Sequence, residues 1–393
     1  MNICFIEDTM LHGGTQLWVV DAVRAYYDHG DMVTLLAPEQ SWVHEQCQGS
    51  GVISPTYPFL HPETNHDVLK KTWIGALEGC DVAICTVHPP RDNFHCMVFA
   101  ARCIEEAGLH THLVAKTGTI VPSYMREYYL PDRDISSSVI AISAATQRYL
   151  INEYGLSEKK VALIVQGIDS KRFRLSERLR AESIRRYPLK ENATPVIGSI
   201  GSFEERKGQS ILLETMVELR DGLLPEAQLL LLGDGPKKEE IIDLIDQMDL
   251  GSVVTIHPFT NEPEYALGRL DLLVLPSLGM EGLPNVLQES LAMGIPVIGT
   301  DVGGVTEVIE DGVTGYVVSP GDPTTLVGAI QRMWADKRVY AEMQSNGVKL
   351  VMEKFDRGTQ LQILRQHLSG FAMRPPEDSS VAVTHAINEP QRG

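Results

Sequence analysis

The stretch Pro276-Ser277-Leu278-Gly279-Met280-Glu281-Gly282-Leu283-Pro284-Asn285-Val286-Leu287-Gln288-Glu289-Ser290 decides how the rest of the chain is read. The apolar run Leu272-Leu273-Val274-Leu275 leads into it as a buried strand. Leu291-Ala292-Met293 follows, then Gly294 as the residue that ends a helix, then Pro296-Val297-Ile298 as the next strand. The unit is strand, loop, helix, strand. Glu281 lies where the helix begins, and Glu289 sits eight residues later, about two turns along. A helix N-terminus with free backbone N–H groups seats an anion. Carboxylates beside such a seat accept well from hydroxyl groups. Together these features point to a phosphate-bearing polyhydroxyl ligand, although the spacing alone also fits a solvated helix with ordinary surface glutamates.

The same alternation runs outward in both directions. Asn2 to Glu7 reads as a first strand, Leu11-His12-Gly13-Gly14 as a turn, and Thr15 to Asp28 as a helix with Leu17, Val20, Val23 and Tyr27 on one face. Gly30 ends that helix, and Met32 to Leu36 is the next strand, so the chain opens as a βαβ unit of a doubly wound sheet. Helices near 67–79 and 92–107 alternate with strands at 82–85 and 112–115, and strands 139–143 and 161–165 close the first half. Gln166 to Phe173 reads as a crossing segment, followed by a charged helical stretch to about Arg186. The second half repeats the architecture, with strands at 196–201, 227–232, 253–256, 272–275 and 296–298. Two α/β domains of similar size, facing each other across a cleft, are expected. A last helix is expected near 358–368, and the polar, Pro-rich run from Met373 reads as a disordered tail.

Composition narrows the class of ligand. A chain of 393 residues is long enough for two or three domains. A formal net charge of −18 argues against nucleic acid and against a broad basic face for anionic lipid. A phosphate site must then be built locally, from a few cations and helix ends. No apolar run reaches the ~18 residues of a membrane span, and the N-terminus lacks a basic start before an apolar segment. An intracellular protein is expected. The six cysteines show no C-x-x-C and read as scattered buried thiols in a reducing compartment.

Arg206-Lys207-Gly208 follows the strand 196–201 and precedes a helix. Two adjacent cations at a strand end, with glycine allowing close approach, suit a diphosphate.

The run Glu281 to Glu289, continued by Ala292 to Val318, closely resembles the E-x7-E signature of the GT4-type retaining glycosyltransferases (glycosyl transferases group 1). These are GT-B enzymes, with two Rossmann-like doubly wound domains facing across a cleft. The resemblance implies a first, acceptor-binding domain over 1–170, completed by a C-terminal helix over 357–370. A second domain over 186–355 would bind the nucleotide sugar. It further implies that Arg206 and Lys207 hold the leaving diphosphate, that Glu281 meets the transferred sugar, and that Glu289 meets the ribose. Backbone N–H groups near Gly282, Leu283, Asn285 and Val286 would meet sugar and phosphates, and Gly13-Gly14 would face the diphosphate from the first domain. The stretch around His257 is a candidate contact for the base, mainly through backbone, and His88 is a candidate catalytic group at the cleft edge of the first domain.

No cofactor and no metal is expected, the nucleoside-diphosphate sugar being a substrate. Asp132-Arg133-Asp134 has a D-x-D form but reads as a surface loop far from the E-x7-E stretch. The acceptor, be it a glycan, a lipid-linked sugar or a small molecule, is not legible, and the cytoplasm or the inner face of a membrane is the expected location. The loops near 39–66 and 116–135, with Tyr124, Tyr128 and Tyr129, are where its selection is expected. A sugar phosphorylase or disaccharide synthase of the same fold, and a non-catalytic nucleotide-sugar-binding protein, remain as alternatives. Two positions depart from the family pattern: Gln166 stands where the linker usually carries Asn, and Lys116-Thr117-Gly118-Thr119 stands where many members carry a histidine. Lys116 is a candidate polar contact in its place.

Overall fold

The computed structural model describes residues 1–59, 66–88, 94–118, 123–279 and 281–372; the expected tail from Met373 and the side chain of Tyr124 lie outside them. The first sheet contains β1 (Asn2–Ile6), β2 (Met32–Pro38), β3 (Thr56–Tyr57), β4 (Val82–Thr86), β5 (His112–Lys116), β6 (Ser137–Ala141) and β7 (Val161–Leu163). Its order is β3-β2-β1-β4-β5-β6-β7, with every pairing parallel. The second sheet contains β8 (Val196–Ile200), β9 (Gln228–Leu232), β10 (Val254–His257), β11 (Leu272–Leu275), β12 (Val297–Thr300) and β13 (Gly315–Val318). It runs β10-β9-β8-β11-β12-β13, also parallel throughout.

The reason for this arrangement is written in the strands. Runs such as Leu229-Leu230-Leu231-Leu232 and Leu272-Leu273-Val274-Leu275 are apolar on both faces and fully buried, as a sheet covered by helices on both sides requires. Each sheet is flanked by two apolar clusters, one per face.

In each domain the chain winds one way from the central strand and then reverses, between β1 and β4 and between β8 and β11. Such reversals open a crevice at the carboxyl ends of the strands, where open α/β sheets bind ligands. Glu7 to Gly14 follow β1 and Val87-His88 follow β4. In the second domain Ser202 to Gly208 follow β8, and the 276–284 loop follows β11.

The C-terminal helix Arg357–Ala372 crosses back to the first domain. Leu361, Leu364 and Leu368 pack in one cluster with Ile3, Phe5 and Trp18. Arg357 pairs with Asp21, and Arg365 Nε donates to Asp31 Oδ2 at 2.6 Å. Sequence reading misses β3, which at two residues is too short to show a period, and it also misses β13 and the helix Trp42–Cys47. All six cysteines are free thiols, five of them buried and Cys80 half-buried. No helix among the described residues is long and apolar enough to cross a membrane.

Candidate active site

Because β8 lies beside β11, the loops that follow them meet. Glu205–Lys207 forms one tight turn, ended by Gly208 with φ +65°. A Cβ at Gly208 would stand 2.1 Å from the Pro276 carbonyl oxygen, and Leu278 N donates to Arg206 O at 2.8 Å. The Arg-Lys-Gly turn is thus fused to the loop that carries Glu281. Gly208→Ala adds both a backbone clash and a strained left-handed residue, so its melting temperature should fall well below that of the wild type. A thermal melt checks this; an unchanged value would show that the turn is not seated on Pro276.

Lys207 Nζ donates to Glu281 Oε1 at 2.6 Å, Ser277 Oγ donates to the same oxygen at 2.5 Å, and an Arg206 guanidinium nitrogen stands 3.8 Å from it. Arg206 Nε also donates to Glu204 Oε2 at 2.8 Å. Both cations are held in place by carboxylates rather than left free in solvent. On the far side, Gly303 and Gly304 lie directly on the Glu281-Gly282 backbone, and Gly304 N donates to Glu281 O at 3.1 Å. A Cβ at Gly304 would stand 1.9 Å from the Gly282 oxygen. This backbone-to-backbone contact fixes the height of the Glu281 loop.

The helix Asn285–Ala292 starts after Pro284 with no side chain capping it. Its first N–H groups are left for a ligand or water. Glu289 lies in its second turn and is buried. Burial pushes its carboxyl up to about 7, against the pull of Arg172 and with Glu264 adding to the rise. Asn285, Val286 and Glu289 line a cavity of about 450 Å³ between the two domains. Its opposite wall is Gly13 and Gly14 at the start of the first helix, and Arg172, Phe259 and Thr260 complete the outer end. Gly14 comes so close that a Cβ there would stand 2.7 Å from Asn285 Nδ2.

In the first domain, His88 Nε2 lies 2.6 Å from Glu7 Oε1, and Glu7 also accepts from Thr86 Oγ1 and from Gln16 Nε2. Burial lowers the His88 pKa, but the Glu7 carboxylate outweighs it and the net direction is upward. For Glu7 burial opposes ionisation, and His88 with the other donors brings the carboxyl below its usual range. The buried carboxylate favours the protonated form of His88, and the pair sits at the strand ends that open the first-domain crevice.

The other expected residues lie at the cavity, in the interior or on the surface. The His257 side chain packs edge-on against Tyr187, with ring centroids 4.9 Å apart, and does not line the cavity; Phe259 and Thr260 do. Leu283 is buried in the apolar cluster of the second domain, so only its backbone is available to a ligand. Lys116 is not a cleft contact: it is buried, with Nζ 4.1 Å from the centroid of the Trp18 ring and bonded to Gln166. Tyr128 stacks on His95 at 3.9 Å and Tyr129 is fully buried, so both are packing residues. Asp132 and Asp134 are exposed, and the Arg133 between them pairs with Glu105. Arg172, Gly303 and Gly304 carry no spacing signal that singles them out. Ser277 lies inside the decisive stretch, yet nothing in the stretch marks it as the partner of Glu281.

Two parallel doubly wound domains with a ligand cavity between their switch points make this a GT-B fold, and solved structures agree. That of Anabaena Alr3699/HepE in complex with UDP superposes with a TM-score of 0.81 over 94% of this chain and 100% of that one, at 20% identity. Residues 180–350, which span most of the second domain, match the model of the glycosyl transferases group 1 family. The chain is 33% identical over 184 residues to the alpha-D-kanosaminyltransferase of Streptomyces kanamyceticus, covering 46% of each protein. It is 28% identical over 276 residues to the sulfoquinovosyl transferase SQD2 of Arabidopsis thaliana, covering 66% of this chain and 52% of that one. The chain spans about half the length of the curated relatives it matches.

Proposed function

We propose that this protein is a retaining glycosyltransferase that moves a sugar from a nucleoside-diphosphate donor to an acceptor hydroxyl without a metal ion. The observation that carries this is the cluster of Arg206, Lys207 and Glu281 at the β8/β11 switch point, continuous with an uncapped helix start and a buried Glu289 on an interdomain cavity. Arg206 and Lys207 take the diphosphate. Charge builds there as the glycosidic bond breaks, so pre-placed cations act on the transition state and not only on binding. Glu281, released from Lys207 by the incoming phosphate, accepts from sugar hydroxyls. Glu289 accepts from the ribose hydroxyls, and Gly13-Gly14 admit the diphosphate to the helix start of the first domain.

The step is balanced without a covalent enzyme intermediate. The bond from the anomeric carbon to the phosphate oxygen breaks, the acceptor oxygen bonds to the same face, and its proton passes to the departing phosphate. His88, whose protonated form Glu7 favours, donates a hydrogen bond to a substrate oxygen on the first-domain side. Closure of the cleft excludes water and limits hydrolysis. UDP, present in the structurally similar Anabaena protein, is the first donor series to try.

The test is ¹H NMR of nucleotide sugars incubated with the protein in EDTA. Release of nucleoside diphosphate with the donor's anomeric configuration kept in the product is expected. Inversion, or a strict requirement for a divalent cation, would overturn this reading.

A further inference from the structure

The two departures from the family pattern, Lys116 and Gln166, touch each other. Lys116 Nζ donates to Gln166 Oε1 at 2.9 Å, although 50 residues separate them in sequence. Gln166 Nε2 then donates across the domain boundary to Asn285 Oδ1 at 3.0 Å. Lys116 is 2% exposed and Gln166 7% exposed. The gap left among Trp18, Lys116, Ile140, Ile164 and Leu364 is only about 10 Å³, room for at most one water. On the other side, a Cβ on Gly282 would stand 3.2 Å from the Gly118 oxygen, so the end of β5 and the linker together seat the start of the Asn285 helix.

The polarity of this chain of groups follows from its first member. As an ammonium the lysine has only N–H donors to offer the Gln166 amide, whose oxygen therefore faces it. Burial pushes the Lys116 amine down to about 7, with Glu7 opposing; the ammonium form has no lone pair to accept with, and it is this form that fixes the direction of the contact. With its oxygen turned to Lys116, Gln166 points its N–H₂ at Asn285. Asn285 must answer with Oδ1, which turns its own N–H₂ toward Gly14 and the cavity, where a Cβ on Gly14 would stand 2.7 Å from Nδ2. The geometry therefore selects one of the two faces of an amide whose ends are otherwise nearly equivalent in shape.

We propose that Lys116 and Gln166 are positioning residues that hold the Asn285 amide with its N–H₂ toward the diphosphate and sugar oxygens of the donor. This rests on the donor site proposed above. The pair does from inside the first domain, and without touching substrate, what a polar side chain reaching into the cleft would do directly.

Gln166→Glu exchanges one N–H₂ for an oxygen. The new carboxylate pairs with Lys116 but has nothing to donate, so Asn285 turns its N–H₂ to that carboxylate and presents Oδ1 to the donor. The melting temperature should hold or rise. The Kd should increase roughly tenfold or more for whichever of UDP, GDP, ADP and TDP binds the wild type most tightly, as expected when a hydrogen bond to a charged group is lost. Asn285→Asp keeps the acceptor for Gln166, removes the N–H₂ from the cavity, and should lose as much. Lys116→Met, which adds no negative charge, frees the amide pair to turn over and should weaken binding by less than Gln166→Glu.

Calorimetric titrations and thermal melts on the four proteins, with Lys207→Ala alongside, decide the matter. If Gln166→Glu binds as tightly as the wild type while Lys207→Ala does not, the positioning role is wrong and the donor site stands. If affinity only tracks a falling melting temperature, the role is structural and the proposal is wrong. If the wild type binds none of the four nucleotides, both readings fall together.

Discussion

Lys207→Ala is expected to lower kcat by roughly 10²–10³-fold, the range seen when a group stabilising transition-state charge is removed, with a smaller change in KM. Lys207 is half of the closest ion pair at the β8/β11 edge, 2.6 Å from Glu281. Its loss acts twice. The leaving diphosphate loses one of its two cations, and Glu281, itself only 6% exposed, keeps Ser277 and the more distant Arg206 as partners. An interaction that strengthens as the phosphate gains charge appears in kcat, whereas one used equally in ground and transition states appears in KM alone. Steady-state kinetics separate the two. A rise in KM at unchanged kcat would mean that Lys207 only binds the donor.

Glu289→Gln should make the protein more stable and less able to bind its donor. A carboxyl raised from its ordinary 4.5 to about 7 is disfavoured as an anion in the folded chain. Between those two values the folded state keeps a proton that the unfolded state has lost, so stability falls as pH rises through that window. Above it the cost is complete, at most about 3 kcal/mol. Glutamine carries no such cost. At pH 5 the two proteins should melt at nearly the same temperature, and at pH 8 the variant should melt higher.

Donor binding should run the opposite way. The ribose needs an ionised acceptor, so wild-type affinity for a nucleotide sugar should fall as pH drops below about 7, while the variant binds weakly with a flat profile. Stability stored as a disfavoured charge and recovered on binding is the usual trade at a functional site. Equal melting curves at pH 8 would show that Glu289 is not held under this strain.

What the sequence makes legible is what is local. Glu281 and Glu289 lie on one loop and one helix, so their spacing alone places both at the same end of a sheet. The repeated apolar strands make the doubly wound architecture readable, because each strand is buried on both faces. The Lys207 contact spans 74 residues and depends on β8 lying beside β11, an order that spacing does not encode. Resemblance to a family supplies that pairing where physics alone would not.

The link through Lys116, Gln166 and Asn285 spans 50 and then 119 residues across two domains, and it involves positions where resemblance fails as well. His257 shows a smaller limit of the same kind. The strand is legible, but which of the residues at its end turns to the cavity depends on Tyr187, which arrives from a distant helix end.

The first measurement to make is calorimetric titration of the wild-type protein with UDP, GDP, ADP and TDP in the presence of EDTA. One nucleoside diphosphate is expected to bind at one site per chain, with that binding weakened in both Lys207→Ala and Glu289→Gln. If none of the four binds, or if one binds equally well to both variants, the cleft between the two switch points is not the nucleotide-sugar site.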